Sequence, residues 1–206
     1  MKRRLFTALV MALTAILGSW AAKTTSAAKI LDQVIATMEK APSLSINMTL
    51  NSGKTSVPGA LTMAREKFRF VSDEMTVYYD GTTQWTLDNA AGEVSVTTPT
   101  AEELIETNPL AFMHNYSHRY NVSLVSSSAD KYVVRMTAKT KSTYVRSADV
   151  TINAATMLPA TVTATLSTGQ NMTIYIASAT KGKALPLATF RFDKKKHPNV
   201  EVIDLR

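Results

Sequence analysis

The chain has 206 residues, a formal charge of +7, 45% hydrophobic residues and no cysteine. This composition suits one domain with a substantial core, and it excludes a disulfide framework, thiol chemistry and the lipobox cysteine of an acylated lipoprotein. The basic residues are scattered apart from Lys194 to Lys196 and are not interleaved with aromatics, so a mildly basic solvated exterior is expected and no nucleic-acid surface.

Lys2, Arg3 and Arg4 precede a mostly apolar run from Leu5 to Leu17 that is too short for a transmembrane helix. A basic start and a short apolar stretch read as a secretory signal peptide, with small residues placing cleavage after Ala21 or after Ala28. Cleavage after Ala21 removes these three cations and lowers the charge from +7 to +4, and a single domain, residues 29–206, follows. With no cysteine to lipidate, the mature chain is expected free in the periplasm. The sequons at Asn47, Asn115, Asn121 and Asn171 leave a eukaryotic secreted protein as the runner-up.

The first element is an amphipathic helix in "AAKILDQVIATMEKAPS", with Ile30, Val34 and Met38 at four-residue spacing and a stop at Pro42. From Ser43 the period changes to two. Leu44, Ile46, Met48 and Leu50 alternate with polar residues, and the pattern recurs at Leu61 and Met63, Phe68 and Phe70, and Val94 and Val96. It returns at Val122, at Tyr132 to Met136, at Val162 to Leu166, at Met172 to Ile176 and at Val200 to Val202, giving nine to eleven strands joined by turn signals. The short connections imply mostly antiparallel neighbours.

Two short helices interrupt this rhythm. Thr100 with Glu103 fits a capping box, and Asn108-Pro109 supplies an N-cap and first-turn proline for the next. Leu104, Ile105, Leu110, Phe112 and Met113 give these helices more apolar surface than their length needs. The fold class is therefore mainly β, an α+β arrangement in which an incomplete, strongly curved antiparallel barrel is covered by about three helices.

No catalytic constellation emerges. His114 and His118 have metal-ligand spacing, but Asn115 stands where a zincin needs glutamate, and only His197 remains besides. Ser128 with Lys131 and Ser178 with Lys181 repeat a Ser-x-x-Lys spacing in turn-like stretches without companion motifs. Adjacent carboxylates, Glu102 with Glu103 and Asp73 with Glu74, point apart on regular structure. A binding domain without cofactor or metal is expected rather than an enzyme. Met48, Met63, Met136 and Met172 fall on the inward parity of strands, where methionine either fills a core or walls a pocket for varied apolar guests.

In "YYDGTTQWTLD", an Asp-Gly turn joins two aromatic stretches. A three-residue turn puts Trp85 and Leu87 with Met75 and Val77 on the dry face, whereas a two-residue turn puts Trp85 with Tyr78.

Several of these segments, in order, resemble the LolA family of periplasmic lipoprotein carriers, particularly its Bacteroidota branch: "GALTMAREKFRF", "DGTTQW", "VSVTTPTAEELIETNPLAFM" and "ATFRFDKKKHPNVEVIDLR". The resemblance implies a monomeric open barrel under helices, whose hydrophobic cavity takes acyl chains of lipoproteins from an inner-membrane ABC transporter and passes them to an outer-membrane acceptor. It places in that cavity Leu44, Ile46, Met48, Leu61, Met63, Phe68, Phe70, Val77, Trp85 and Leu87. From the helices and later strands it adds Leu104, Ile105, Leu110, Phe112, Met113, Met136, Leu166, Met172 and Ile174. The family's lid-tethering basic residue corresponds to Arg65, although Glu66 follows it where the family has proline. Sensors of envelope lipids and other lipid carriers of the same fold are the alternatives.

Overall fold

A computed structural model describes residues 26–206, so the expected signal segment and the first cleavage candidate lie outside the described residues. Helix α1 (Ala27–Lys40) opens on Ser26, whose hydroxyl caps the amide of Lys29, and it buries Ile30, Leu31, Val34 and Met38 along one face. Two hairpin-built runs of strand follow. The first comprises β1 (Ser43–Ser52), β2 (Thr55–Ala64), β3 (Lys67–Ser72), β4 (Met75–Tyr79), β5 (Gln84–Asp88) and β6 (Glu93–Thr97). The second comprises β7 (Tyr120–Ser127), β8 (Lys131–Ala138), β9 (Val145–Asn153), β10 (Leu158–Leu166) and β11 (Asn171–Gly182).

Between the runs lie α2 (Ala101–Thr107), α3 (Pro109–His114) and α4 (Tyr116–Arg119). The capping box at Thr100 is formed, with the Thr100 amide donating to Glu103 Oε2 at 2.7 Å, and Asn108 and Pro109 start α3. After β11 the chain passes through a 3₁₀ turn (Leu187–Phe190) and ends in β12 (Glu201–Asp204).

All twelve strands form one sheet in the order β12-β6-β5-β4-β3-β2-β1-β11-β10-β9-β8-β7, whose end strands do not pair with each other. The incomplete barrel is thus as expected, with more strands than alternation indicated. The overlooked strand is β9, where Ala148 is too small to register as apolar beside Asp149 and Ser147. Pairings are antiparallel except β12 on β6, which is parallel because a long return, not a hairpin, delivers β12. Among the described residues there are four α-helices and a 3₁₀ turn where three helices were expected.

The β4–β5 connection settles the aromatic hairpin. Tyr79 pairs with Gln84 and Tyr78 with Trp85, so four residues, Asp80 to Thr83, form the loop. Asp80 Oδ1 accepts from the amides of Thr82 and Thr83, and Gly81 takes φ +104°. An even-numbered loop keeps the parity of the two-residue turn. Trp85 and Leu87 therefore share a face with Tyr78 and Thr76, not with Val77.

Phe68 and Phe70, paired with Tyr79 and Val77, point instead to the concave side and pack with the main core. The dry side of the sheet thus changes along its width. From β7 to β3 the concave face is apolar and helices cover it. Across β4 to β6, Tyr78, Leu87, Val94 and Val96 are buried outside the main core cluster, on the convex face. The C-terminal passage covers this face: the Phe192 ring meets Tyr78 edge-on at 6.3 Å, His197 stacks on Phe192, and Phe190 is 1% exposed.

Arg191 Nε closes this cover on Asp80 Oδ2 at 2.6 Å. Burial alone would raise the Asp80 carboxyl, but the Thr83 amide, the Arg191 guanidinium and the Thr82 amide together hold its pKa below the ordinary carboxylate value. A depressed folded pKa adds stability that is present above the unfolded pKa, about 3.9, and is lost as pH falls through the lower folded value. Thermal unfolding followed from neutral pH to below pH 3 is expected to show this loss. Asp80→Asn, which keeps the amide acceptor but not the ion pair, should cost about 1 kcal/mol at neutral pH and flatten that part of the acid profile.

Candidate binding cavity

Between the concave face and the helices lies an apolar cavity of about 300 Å³. Its roof is Leu31, Val34 and Met38 of α1 with Pro109, Phe112 and Met113 of α3, and its walls come from β1, β2 and β8 to β11. Asn108 is the only polar residue among those lining it.

The empty space follows from the register. Met136, Ala148, Ala164 and Met172 stand in one row across β8, β9, β10 and β11. Two methyl side chains side by side cannot reach the roof, and the methionines flanking them are unbranched and adjust their shape readily. Beside this row, Val134, Val150, Val162 and Ile174 form a taller one. A bulge at Ala177 moves the register between β1 and β11, so that Ala179 and Ile176 face the cavity while Ser178 turns outward to Asn47.

Of the residues expected in the cavity, Leu44, Ile46, Met48, Leu61, Phe112, Met113, Met136, Met172 and Ile174 line it. Met63, Phe68 and Leu110 are buried in the adjoining core, and Phe70, Val77 and Leu104 pack partly buried against it. Ile105 is half-buried on α2, and Leu166 is buried at the end of β10 without lining the cavity. Trp85 and Leu87 differ from the expectation outright, lying on the convex face for the parity reason given above. Sequence reasoning missed the α1 wall (Leu31, Val34, Met38), because packing of a helix on a sheet already accounts for that apolar face. It also missed Ala148 and Ala164, whose importance lies in what they leave vacant.

Arg65 sits in the β2–β3 turn at φ 55° and is exposed, at the edge of a polar depression shared with Glu39, Glu66, Lys67, Leu110 and His114. Among the described residues its guanidinium makes no hydrogen bond or ion pair. The lid helices are tied to one another by polar contacts. His114 Nε2 lies 3.2 Å from Glu39 Oε1, and the Tyr116 hydroxyl donates to Asp32 Oδ1 at 2.9 Å. Burial, then the Asp32 hydrogen bond and charge, push the Tyr116 phenol up to about 12, so it remains a neutral donor.

The remaining motif residues have structural partners. Ser128 Oγ accepts from the Lys131 amide across the β7–β8 turn, and the Ser178 hydroxyl accepts from Asn47. Among the described residues no group of three or more His, Asp or Glu could hold a metal ion, and no helix is long and apolar enough to cross a membrane.

Fold and site together define a class: a half-open β-sheet wrapped around an apolar cavity under a helical lid, a binding and carrier architecture. A family profile described as outer membrane lipoprotein carrier protein LolA matches residues 17–170, and the chain belongs to that family. An uncharacterized conserved protein from Thermus thermophilus has the same fold, at 9% identity and TM-score 0.60 over 85% of this chain and 97% of that one. Weaker likenesses include MucB in the MucA/MucB complex of Pseudomonas aeruginosa, at 11% identity and TM-score 0.48, where 82% of this chain covers 62% of that one. A LolA superfamily protein from Nitrosomonas europaea gives 11% identity and TM-score 0.43 over 82% of this chain and 98% of that one. No curated protein sequence matches.

The row of small residues is open to direct test. Ala164→Phe fills the space beneath the lid and should weaken binding of an apolar fluorescent fatty acid about tenfold or more, while stability holds or rises, since each methylene buried in vacant apolar space adds roughly 0.8 kcal/mol. Fluorescence titration beside circular dichroism melting measures both.

Proposed function

We propose that this protein is a periplasmic carrier that shelters the acyl chains of lipoproteins and moves them from an inner-membrane transporter to an outer-membrane acceptor. One observation carries the reading: a lidded cavity of about 300 Å³ with a single polar residue among those lining it. Such a lining offers no hydrogen bonds to read a polar ligand, so its selectivity is for apolar chain. The volume is at the small end for ligand pockets, so a long chain enters only as the lid lifts and the methionines repack. Transfer then follows relative affinity and needs no covalent step.

The reading is tested by native mass spectrometry of the protein purified from periplasm. An acylated protein carried along supports it; a free lipid as the sole passenger reassigns the chain to general envelope lipid transport, and an empty protein that binds no acyl probe overturns both.

The start of the mature chain belongs to the same proposal. Ser26 caps α1, Ala27 is buried, and the Ala28 carbonyl accepts from Tyr116. Cleavage after Ala21 preserves all three and cleavage after Ala28 destroys the cap, so N-terminal sequencing is expected to begin at Ala22.

Arg65, on the rim between sheet and lid, is proposed as a gate residue. Arg65→Leu should leave stability within about 0.5 kcal/mol, as for other exposed positions, while slowing delivery of a lipoprotein from donor to acceptor membranes. Normal delivery by that variant would remove Arg65 from the gate.

A further inference from the structure

Asn108 stands at the elbow between α2 and α3, is 3% exposed, and lines a cavity that is otherwise apolar. A buried amide in such a place is costly unless its polar atoms are matched. Its Oδ1 accepts from the amides of Leu110 at 3.0 Å and Ala111 at 3.3 Å, capping α3. Its own backbone amide donates to the Leu104 carbonyl at 2.8 Å, closing α2. Capping both helices would leave Nδ2 idle, and any good N-cap residue could do it. Nδ2 instead reaches out of the lid and donates to the Glu66 carbonyl in the β2–β3 turn at 2.8 Å, across 42 positions of sequence.

We infer that Asn108 is the latch of the lid: its Nδ2 bond to the Glu66 carbonyl holds the α2–α3 elbow down on the sheet and sets how often the cavity opens. The bond sits beside Arg65, and the turn presents a backbone carbonyl, so the latch depends on the lid's side chain and the turn's conformation rather than on the guanidinium. The left-handed backbone of Arg65 belongs to that turn. The polar ties of His114 to Glu39 and Tyr116 to Asp32 run from helix to helix, so they move with the lid, whereas the Asn108 bond must break for the elbow to rise. A hydrogen bond of modest net strength suits this role, since it keeps the resting cavity dry yet yields to an entering chain.

The inference rests on the carrier reading only for its purpose; the latch itself can be tested on the empty protein. Asn108→Asp keeps an equally good cap but has no donor for Glu66, and Asn108→Ser does the same with a smaller side chain. Asn108→Ala removes both functions. Amide hydrogen exchange across residues 101–114 of the unliganded protein is expected to quicken about three- to tenfold beyond any change in β8 to β10 in the Asp and Ser variants, the range one lost hydrogen bond allows, and the Asp variant, which also buries a carboxylate, melts below the Ser variant. Stopped-flow release of a dansylated fatty acid should quicken by the same factor. Exchange and release unchanged in both variants overturn the latch, as does an effect confined to the Ala variant, which would leave Asn108 a cap alone. Should the parent protein bind no fatty acid while exchange still responds to Asn108→Asp, the latch stands and the carrier reading falls.

Discussion

A sheet of twelve strands with one apolar and one polar face would need a single continuous cover, and three short helices and one longer one cannot provide it. The side that must be kept dry switches between β3 and β4, where Phe68 and Phe70 face inward with Tyr79 and Val77 while Tyr78 and Trp85 face out. Each half then needs its own cover. Helices α1 to α4 close the concave half, and the C-terminal passage, clasped by Arg191 on Asp80, closes the convex one. Both the location of the cavity and the role of the last residues follow from that switch.

On the concave side, the cover does not fill what it encloses. Well-packed interiors leave few voids larger than a water molecule, so a space of about 300 Å³ requires a cause in the side chains. The cause is the Ala148–Ala164 pair, framed by Met136 and Met172. Burying a larger residue at either position would add roughly 0.8 kcal/mol per methylene in apolar contact, so the domain forgoes stability that its backbone would accommodate. The roof is held over this gap by the buried apolar face of α1 and, at the α2–α3 elbow, by the Asn108 bond to the β2–β3 turn.

Much of this was legible in the sequence because it depends on local rules. The helix-to-strand change at Ser43, the capping box at Thr100, the Asn108-Pro109 start and the inward parity of Leu44, Ile46, Met48 and Met172 all follow from spacing. What stayed hidden depends on pairing partners. The face of Trp85 turned on whether the Asp80 loop held an odd or even number of residues. Ala177 could be seen as a bulge only against β1, and β9 needed its neighbours to reveal Ala148 as an inward position. Asn108 was read correctly as a cap, but its reach to Glu66 is a tertiary contact that no local pattern encodes.

The seam between the two halves of the sheet carries a further consequence. Each half is a meander of hairpins that can form from neighbouring residues, but β1 and β11 are joined from Ser43–Gly182 to Ser52–Met172, and Ser43 also donates to the carbonyl of Lys183, 140 positions away. The central pair of the sheet therefore cannot exist until nearly the whole chain is present. A chain that emerges from its N-terminus thus first presents six strands lacking their central partner, with Val94 and Val96 bare. Folding of so non-local a topology is slow, and the interval favours holding by other factors over spontaneous collapse. Until β11 and the C-terminal passage arrive, the apolar surface of the first half has none of the cover that the finished sheet gives it.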